Sequence, residues 1–125
     1  MSKRFEDKVI VVTGAAQGIG EAYAKALGAE GAAVVVADLN DDSGERVAKE
    51  IEAAGGRALY VHTDVSSAES AAAMVDRTVR EFDGIDGLVN NAAIYGAMQF
   101  DLLISVDWEY YRKFMSVNMD GALVM

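Results

Sequence analysis

Short apolar runs alternate with longer segments of helical periodicity along most of the chain. The apolar runs occupy residues 8–13, 33–37, 58–62 and 87–90, and helical spacing follows the first three at 18–29, 42–54 and 67–82. Near-continuous Val, Ile, Leu and Ala strands joined by helices are typical of a parallel sheet buried on both faces. Because crossovers between parallel strands are right-handed, we predict a Rossmann-like, doubly wound α/β fold with strand order 3-2-1-4.

The sequence predicts a single domain. Its 125 residues are 52% hydrophobic, which is enough for a single core, and they contain no linker, low-complexity tract or repeat. The fourth strand would be an exposed apolar edge, and the final "DGALVM" has no helix C-cap. We therefore expect residues 1–125 to form one Rossmann-like domain that is incomplete at its C-terminus.

Composition removes several classes of function. The chain has no cysteine and one histidine, His62, so thiol catalysis and a histidine-rich metal site are excluded. A net charge of −9 argues against binding to nucleic acid or an anionic membrane. The N-terminus lacks the apolar region of a secretory signal, and no apolar run is long enough to span a membrane. We expect a cytoplasmic protein without metal, nucleic-acid or membrane partners.

A glycine-rich turn joins the first strand to the first helix in "TGAAQGIG". Gly14 permits a sharp turn, Gly18 lets backbone approach a pyrophosphate, and Gly20 lets the helix pack closely on the strand. The helix N-terminus then offers free N–H groups to an anion. A glycine turn alone is weak evidence, but the strand before it and the helix after it are the context of a dinucleotide site.

Asp38 ends the second strand in "VVVADLN", where a carboxylate can accept the hydroxyls of an adenosine ribose. It would repel a 2′-phosphate, and neither Leu39, Asn40 nor Gln17 in the glycine turn carries a compensating positive charge. This pattern favours NAD over NADP. The alternative is that Asp38 is a solvated turn residue.

Four motifs together resemble the N-terminal half of a short-chain dehydrogenase/reductase. Residues 13–20 fit that family's T-G-x-x-x-G-x-G motif, and "TDVSS" at 63–67 is similar to its Asp-Val pair. "LVNNAA" at 88–93 resembles its Asn-Asn-Ala-Gly motif, and "MSVNMDGAL" at 115–123 resembles the helix of its catalytic Asn. The resemblance extends over essentially the whole chain, in the family's order and spacing.

The resemblance assigns a role to specific residues. It implies that Asp64 caps the adenine amino group, that Val65 packs on the adenine ring, and that Asn118 is catalytic, holding a water in a proton relay. It also implies that Asn90 and Asn91 brace the sheet. The implied cofactor-binding residues are Gly14, Gln17, Gly18, Ile19, Gly20, Asp38, Leu39, Asp64, Val65, Asn91, Ala92 and Ala93. Taken without the family, Asp64 could equally cap the following helix, and Asn118 could be a surface residue.

The chain departs from the family pattern near the substrate end. Ala93 stands where the family usually has Gly, which we expect to reshape the backbone near the nicotinamide ribose. Tyr111 occupies the position of the family's aromatic residue, seven before Asn118. The segment 94–107 would border the substrate mouth, and its apolar side chains suit a bulky substrate or a core equally well; they are Ile94, Tyr95, Met98 and Phe100.

The family's catalytic Ser, Tyr and Lys have no counterpart in this sequence. Tyr110 and Lys113 are three residues apart rather than four and precede Asn118, as do Ser105 and Ser116. The main hypothesis is the cofactor-binding half of an NAD-dependent oxidoreductase for a secondary alcohol, ketone or ring diol, homo-oligomeric when complete. The competing hypothesis is a non-catalytic nucleotide-binding subunit. A methyltransferase is disfavoured because its glycine loop lacks this spacing.

Overall fold

The computed structural model describes residues 3–93 and 108–125 of the chain. Four parallel strands form one sheet: β1 Val9–Thr13, β2 Ala33–Asp38, β3 Arg57–His62 and β4 Gly87–Val89. Their order is β3-β2-β1-β4, as predicted from the alternation of strands and helices. In the register of this sheet Thr13 lies beside Ala37 and Asp38 lies beside His62, so the carboxyl ends of β1, β2 and β3 meet at one edge.

Three helices connect the strands: α1 Gly18–Ala29, α2 Asp41–Ala53 and α3 Ala68–Phe82. Asn40 caps α2 by accepting the backbone N–H of Ser43, and Ser67 caps α3 by accepting that of Ser70. Asn and Ser are preferred at this position because their side-chain oxygens satisfy N–H groups of the first turn. The expected helix bounds are confirmed to within a residue.

The two faces of the sheet carry separate apolar layers. Strand residues that alternate along β1 and β2 point to opposite faces, so Val12 and Val34 join one layer while Val11 and Val35 join the other. The first layer is completed by α1 and α2 through Ala24, Val47, Ala48 and Ile51, and the second is completed by α3 through Met74. The expectation of a sheet covered on both faces is confirmed.

The expectation of buried strands holds for β1 and β2 and is wrong for β3, while β4 forms an edge of the described sheet, as expected. β1 is buried throughout, and β2 is buried up to Ala37, but β3 and β4 are half-buried or exposed along their lengths. They are the outer strands of the described sheet, and each has one described neighbour, β2 or β1. Leu88 on β4 is accordingly exposed. Apolar composition alone cannot separate a central strand from an outer one.

A further helical segment completes the described structure. It comprises α4 Trp108–Met115, a π-helical stretch Ser116–Asp120, and α5 Gly121–Val124. The side-chain amide of Asn90, after β4, donates to the carbonyl of Ala122 at 3.4 Å, and buried Gly121 packs against Val65. The interpretation of residues 94–107 as a substrate mouth, including Ile94, Tyr95, Met98 and Phe100, falls outside the described residues. Within those that are described, no helix is long and apolar enough to cross a membrane.

Candidate cofactor site

An open cleft of about 620 Å³ lies at the carboxyl ends of the strands. This is where ligands bind in open α/β sheets, because the strand order reverses there and leaves a crevice. The cleft is lined by residues from the glycine turn, the ends of β2 and β3, the segment after β4, and α4 with the π-helical stretch: Gly14, Gln17, Gly18, Ile19, Ala37, Asp38, Leu39, Thr63, Asp64, Val65, Asn91, Ala92, Ala93, Lys113 and Val117.

The glycines of the turn are required by the backbone geometry. Gly14 and Gly18 have positive φ values of 66° and 58°, a conformation that side chains with a Cβ rarely adopt. A Cβ on Gly14 would lie 2.8 Å from the Cα of Ala92, and one on Gly20 would overlap the carbonyl oxygen of Gly14. A Cβ on Gly18 would instead meet no protein atom within 4 Å. Gly14 and Gly20 therefore permit close packing, whereas Gly18 leaves space beside the cleft.

The N-terminus of α1 opens at the cleft without a side-chain cap. Gln17 occupies the N-cap position in extended conformation, and its side chain makes no capping hydrogen bond. The first N–H groups of a helix carry partial positive charge and bind anions readily. Ile19, in the first turn, is 65% exposed despite its apolar side chain. A ligand with both an anionic group and apolar surface matches these two properties.

Asp38 is held in place by backbone N–H groups on both sides of its carboxylate. Oδ2 accepts from the N–H of Ala16 at 3.0 Å, and Oδ1 accepts from the N–H of Asn40 at 3.0 Å. The side chain thus connects the end of β2 to the glycine turn. Each carboxylate oxygen can accept a second hydrogen bond, so the acid stays able to receive ribose hydroxyls. Beside it, Leu39 is 56% exposed and lines the same cleft.

A polar cluster at the end of β3 supports this corner. The Tyr60 hydroxyl lies 2.6 Å from Asp41 Oδ1 and 2.9 Å from the carbonyl oxygen of Asp38, and His62 Nδ1 lies 2.7 Å from the same Asp41 oxygen. Hydrogen bonds from Tyr60 and then His62 lower the pKa of Asp41. Partial burial, followed by the neighbouring Asp41 carboxylate, raises the pKa of Tyr60. Tyr60 therefore stays protonated and can donate to either oxygen.

Asp64 and Val65 line the part of the cleft that follows β3. Asp64 Oδ1 accepts from both the backbone N–H and the hydroxyl of Ser66, at 2.9 and 2.6 Å. The N-cap of α3 is Ser67, so the alternative in which Asp64 caps this helix is wrong. Asp64 instead stabilises the turn that precedes the cap.

The segment after β4 is fixed to the end of β1 by Thr13. This residue is 1% exposed, and its hydroxyl oxygen accepts the backbone N–H groups of Asn91 and Ala92 at 3.0 and 3.1 Å. The hydroxyl also lies 3.3 Å from the carbonyl oxygen of Val89, to which it donates. The Asn91 side chain donates to the carbonyl of Gly14 at 3.3 Å. Asn91 thus braces the sheet and places its own backbone in the cleft.

Most of the residues proposed from the sequence meet in this one cleft, with two exceptions. Gly20 is buried beneath the turn, and Asn118 lies in the π-helical stretch next to the cleft-lining Val117 without lining the cleft itself. Sequence reasoning missed Ala37, Thr63, Lys113 and Val117 as lining residues. Ala37 and Thr63 flank Asp38 and Asp64 and could have been found from that position. Lys113 and Val117 depend on how α4 packs, which no local pattern encodes.

The cleft fits a nicotinamide dinucleotide. It combines an uncapped helix N-terminus for phosphate, a fixed carboxylate for a ribose, and exposed apolar side chains at Ile19 and Leu39 for the ring faces. For residues 3–93 and 108–125, no three His, Cys, Asp or Glu side chains are grouped so as to hold a metal ion.

Comparison with known proteins decides the family. The model of the short chain dehydrogenase family matches residues 8–125. The chain belongs to the short-chain dehydrogenase family. The family is one of dehydrogenases, a class of oxidoreductase that uses a nicotinamide cofactor, NAD or NADP.

Relatives in this family share the fold as well as the sequence. The chain is 64% identical over 120 residues to an uncharacterized oxidoreductase of Mycobacterium tuberculosis, covering 96% of this chain and 48% of that protein. It is 42% identical over 118 residues to the 2,5-dichloro-2,5-cyclohexadiene-1,4-diol dehydrogenase of Sphingobium indicum, covering 94% and 45%. A crystal structure of a short-chain type dehydrogenase/reductase from Mycobacterium marinum superimposes with a TM-score of 0.89 at 32% identity, covering 96% and 47%. The chain therefore spans about half the length of the curated relatives it matches.

Proposed function

We propose that the chain is the cofactor-binding part of an NAD-dependent oxidoreductase that interconverts a secondary alcohol and a ketone. A ring alcohol or diol is the substrate class we favour, since one short-chain dehydrogenase relative is named as a cyclohexadiene-diol dehydrogenase. The observation that carries the choice of NAD is the fixed carboxylate of Asp38 in the cleft. A 2′-phosphate brought to this position would meet its negative charge without a cation at Gln17 or Leu39.

Different residues of the cleft would bind different parts of the cofactor. The backbone of Gly18 and Ile19 at the start of α1 would hold the pyrophosphate, and Asp38 would hold the adenosine ribose. Asp64 and Val65 would hold the adenine, while the segment from Asn91 to Ala93 would border the nicotinamide ribose. When bound, the cofactor supplies the two-electron exchange between alcohol and carbonyl. Asn118 is proposed to hold a water in the proton relay of the complete enzyme.

A second function is supported by one feature of the sequence. No Tyr in the 125 residues is followed four positions later by Lys, so the pair that moves the substrate proton in the family has no counterpart in this chain. We propose that the 125-residue chain by itself binds the dinucleotide without turnover. A chain that binds the dinucleotide without turnover would serve as a nucleotide-binding subunit. We also propose a cytoplasmic location and a homo-oligomeric complete protein.

Isothermal titration of the purified chain with NAD and with NADP tests the cofactor assignment. We expect saturable binding of NAD and clearly weaker binding of NADP at the same ionic strength. Equal or tighter binding of NADP would contradict the role of Asp38. A parallel assay of nicotinamide absorbance with cyclic secondary alcohols distinguishes the two functions. Turnover by the chain alone would contradict the proposal that it is a non-catalytic, nucleotide-binding subunit.

A further inference from the structure

Arg46 lies on α2, and its guanidinium contacts the backbone of Ala16 in the glycine turn. Asp38 is bonded to the same residue from the cleft. Its Nη2 donates to Glu21 Oε1 on α1 at 3.0 Å and to the carbonyl oxygen of Ala16 at 3.4 Å. Ala16 is 1% exposed, and its N–H donates to Asp38 Oδ2 at 3.0 Å. The backbone of Ala16 is therefore held between a guanidinium on one side and the cleft carboxylate on the other.

The guanidinium is itself oriented by an ion-pair network between α1 and α2. Glu50 lies 3.1 Å from Arg46 Nη1, and Lys25 joins both acids, at 2.5 Å from Glu21 and 2.6 Å from Glu50. Two cations and two anions alternate, so each charge has opposite neighbours. We name Glu21, Lys25, Arg46 and Glu50 the inter-helix network.

We propose that Arg46 is a positioning residue for Asp38, acting through Ala16, and thereby a determinant of ribose recognition. This assignment rests on the proposed NAD function. Arg46 does not line the cleft and needs no contact with the cofactor. It holds the carbonyl of Ala16 so that the N–H of the same residue stays aimed at Asp38.

The chemistry of the guanidinium suits this role better than a purely stabilising one. Ion pairs between partly exposed side chains contribute little to folding stability because water screens them. Arg46 at 46%, Glu50 at 44% and Lys25 at 41% are exposed to such a degree, and only Glu21, at 21%, is more shielded. A planar fork with several N–H donors can nevertheless bond two carboxylates and a carbonyl at once, which a lysine ammonium on a flexible stem does with less geometric control.

A double-mutant cycle between Arg46 and Asp38 tests the proposal on the full 125-residue chain, with NAD affinity as the readout. We expect Arg46→Gln to weaken NAD binding by about threefold or more when Asp38 is present, the scale found for residues within one network. In an Asp38→Ala background the same change should have almost no effect. Arg46→Lys should recover only part of the affinity, and Lys49→Gln on the same helix should leave it unchanged.

The outcomes separate this proposal from the proposed function. NAD binding that depends on Asp38 but falls equally with Arg46→Gln in both backgrounds, or not at all, overturns the positioning role and leaves the NAD assignment intact. Absence of NAD binding by the unsubstituted chain, or binding indifferent to Asp38→Ala, overturns both. If Arg46→Gln does not fold, Glu21→Gln removes the carboxylate that orients Arg46 and should show the same coupling to Asp38 more weakly.

The amide signal of Ala16 provides a second readout that helix bracing alone would not move. In an NMR spectrum its proton reports the hydrogen bond to Asp38. We expect Arg46→Gln and Asp38→Ala to shift this signal in the same direction, whereas Lys49→Gln leaves it in place. An unmoved Ala16 signal in Arg46→Gln contradicts the proposal.

Discussion

The hydroxyl oxygen of Thr13 accepts the backbone N–H of Asn91 at 3.0 Å, joining residues that are 78 positions apart in the chain. It also accepts the N–H of Ala92 at 3.1 Å. One buried side chain at the end of β1 therefore determines where the segment after β4 enters the cleft. The cleft-lining backbone of Asn91 and Ala92 therefore depends on a residue that does not itself line the cleft.

Replacement of Thr13 by Val should lower the free energy of unfolding by about 2–4 kcal/mol, because two N–H groups lose their acceptor while the side-chain shape is kept. Denaturant titration measures the loss. Thr78→Val is the matched control: Thr78 is also fully buried, but its hydroxyl donates within its own helix, to the carbonyl and the sulfur of Met74, and accepts no backbone N–H. We expect that variant to lose about 1 kcal/mol or less. Equal losses would mean that the Thr13 hydrogen bonds are not decisive.

Alanine substitutions at Gly18 and Gly55 separate the cost of backbone strain from an effect on cofactor binding. Both have positive φ values, 58° and 95°, and a Cβ on either would meet no protein atom within 4 Å. Alanine at each should therefore cost a similar amount of stability, about 1–2 kcal/mol from the left-handed backbone. Gly18 lines the cleft, whereas Gly55 follows α2 outside it. We expect Gly18→Ala alone to abolish NAD binding in isothermal titration, and retained affinity would move the pyrophosphate away from this turn.

Asp38→Ala should weaken NAD binding about tenfold, the scale of one hydrogen bond to a charged group. NADP affinity should fall less or rise, because the repulsion of a 2′-phosphate is removed, so the preference for NAD narrows. Titration of both cofactors gives the two dissociation constants. Asp42→Ala, an exposed acid in the first turn of α2, serves as the control. An unchanged ratio of the two constants in Asp38→Ala would contradict its role in selectivity.

Glu21 should make stability depend on pH in the acid range. Hydrogen bonds from Arg46, and then from Lys25, lower the pKa of Glu21 from 4.5 to about 2. A carboxyl whose pKa is depressed by folding contributes stability that is fully present above its unfolded pKa and is lost as pH falls through the folded value. The difference in Tm between the unsubstituted chain and Glu21→Gln should thus be largest above about pH 5 and shrink towards pH 2.

The control for this titration is Glu52→Gln, an exposed acid on α2 outside the inter-helix network. We expect its Tm profile to run parallel to that of the unsubstituted chain across the same range. A Glu21→Gln difference that stays constant from pH 6 to pH 2 would show that the charge on Glu21 is not what stabilises the network.

Local chemistry determined most of the fold from the sequence alone. Each apolar run of a parallel strand and each helix period is set by neighbours within a few residues, which is why the helix bounds agree with prediction to within a residue. The strand order agrees because right-handed crossovers allow few arrangements of such alternating elements. The glycine turn could be predicted from the sequence for the same reason, because few residues other than glycine adopt the positive φ values found at Gly14 and Gly18. The resemblance to the family rested on four motifs in order.

Tertiary structure alone decided the relationships between distant residues. Burial of β3 and β4 depended on their outer places in the sheet, and Lys113 and Val117 reached the cleft only because α4 and the π-helical stretch pack beside it. The link from Arg46 through Ala16 to Asp38 spans three elements of the chain. Such contacts arise from the packing of whole elements, whose energies are shared among many residues, so no local pattern in the sequence records them.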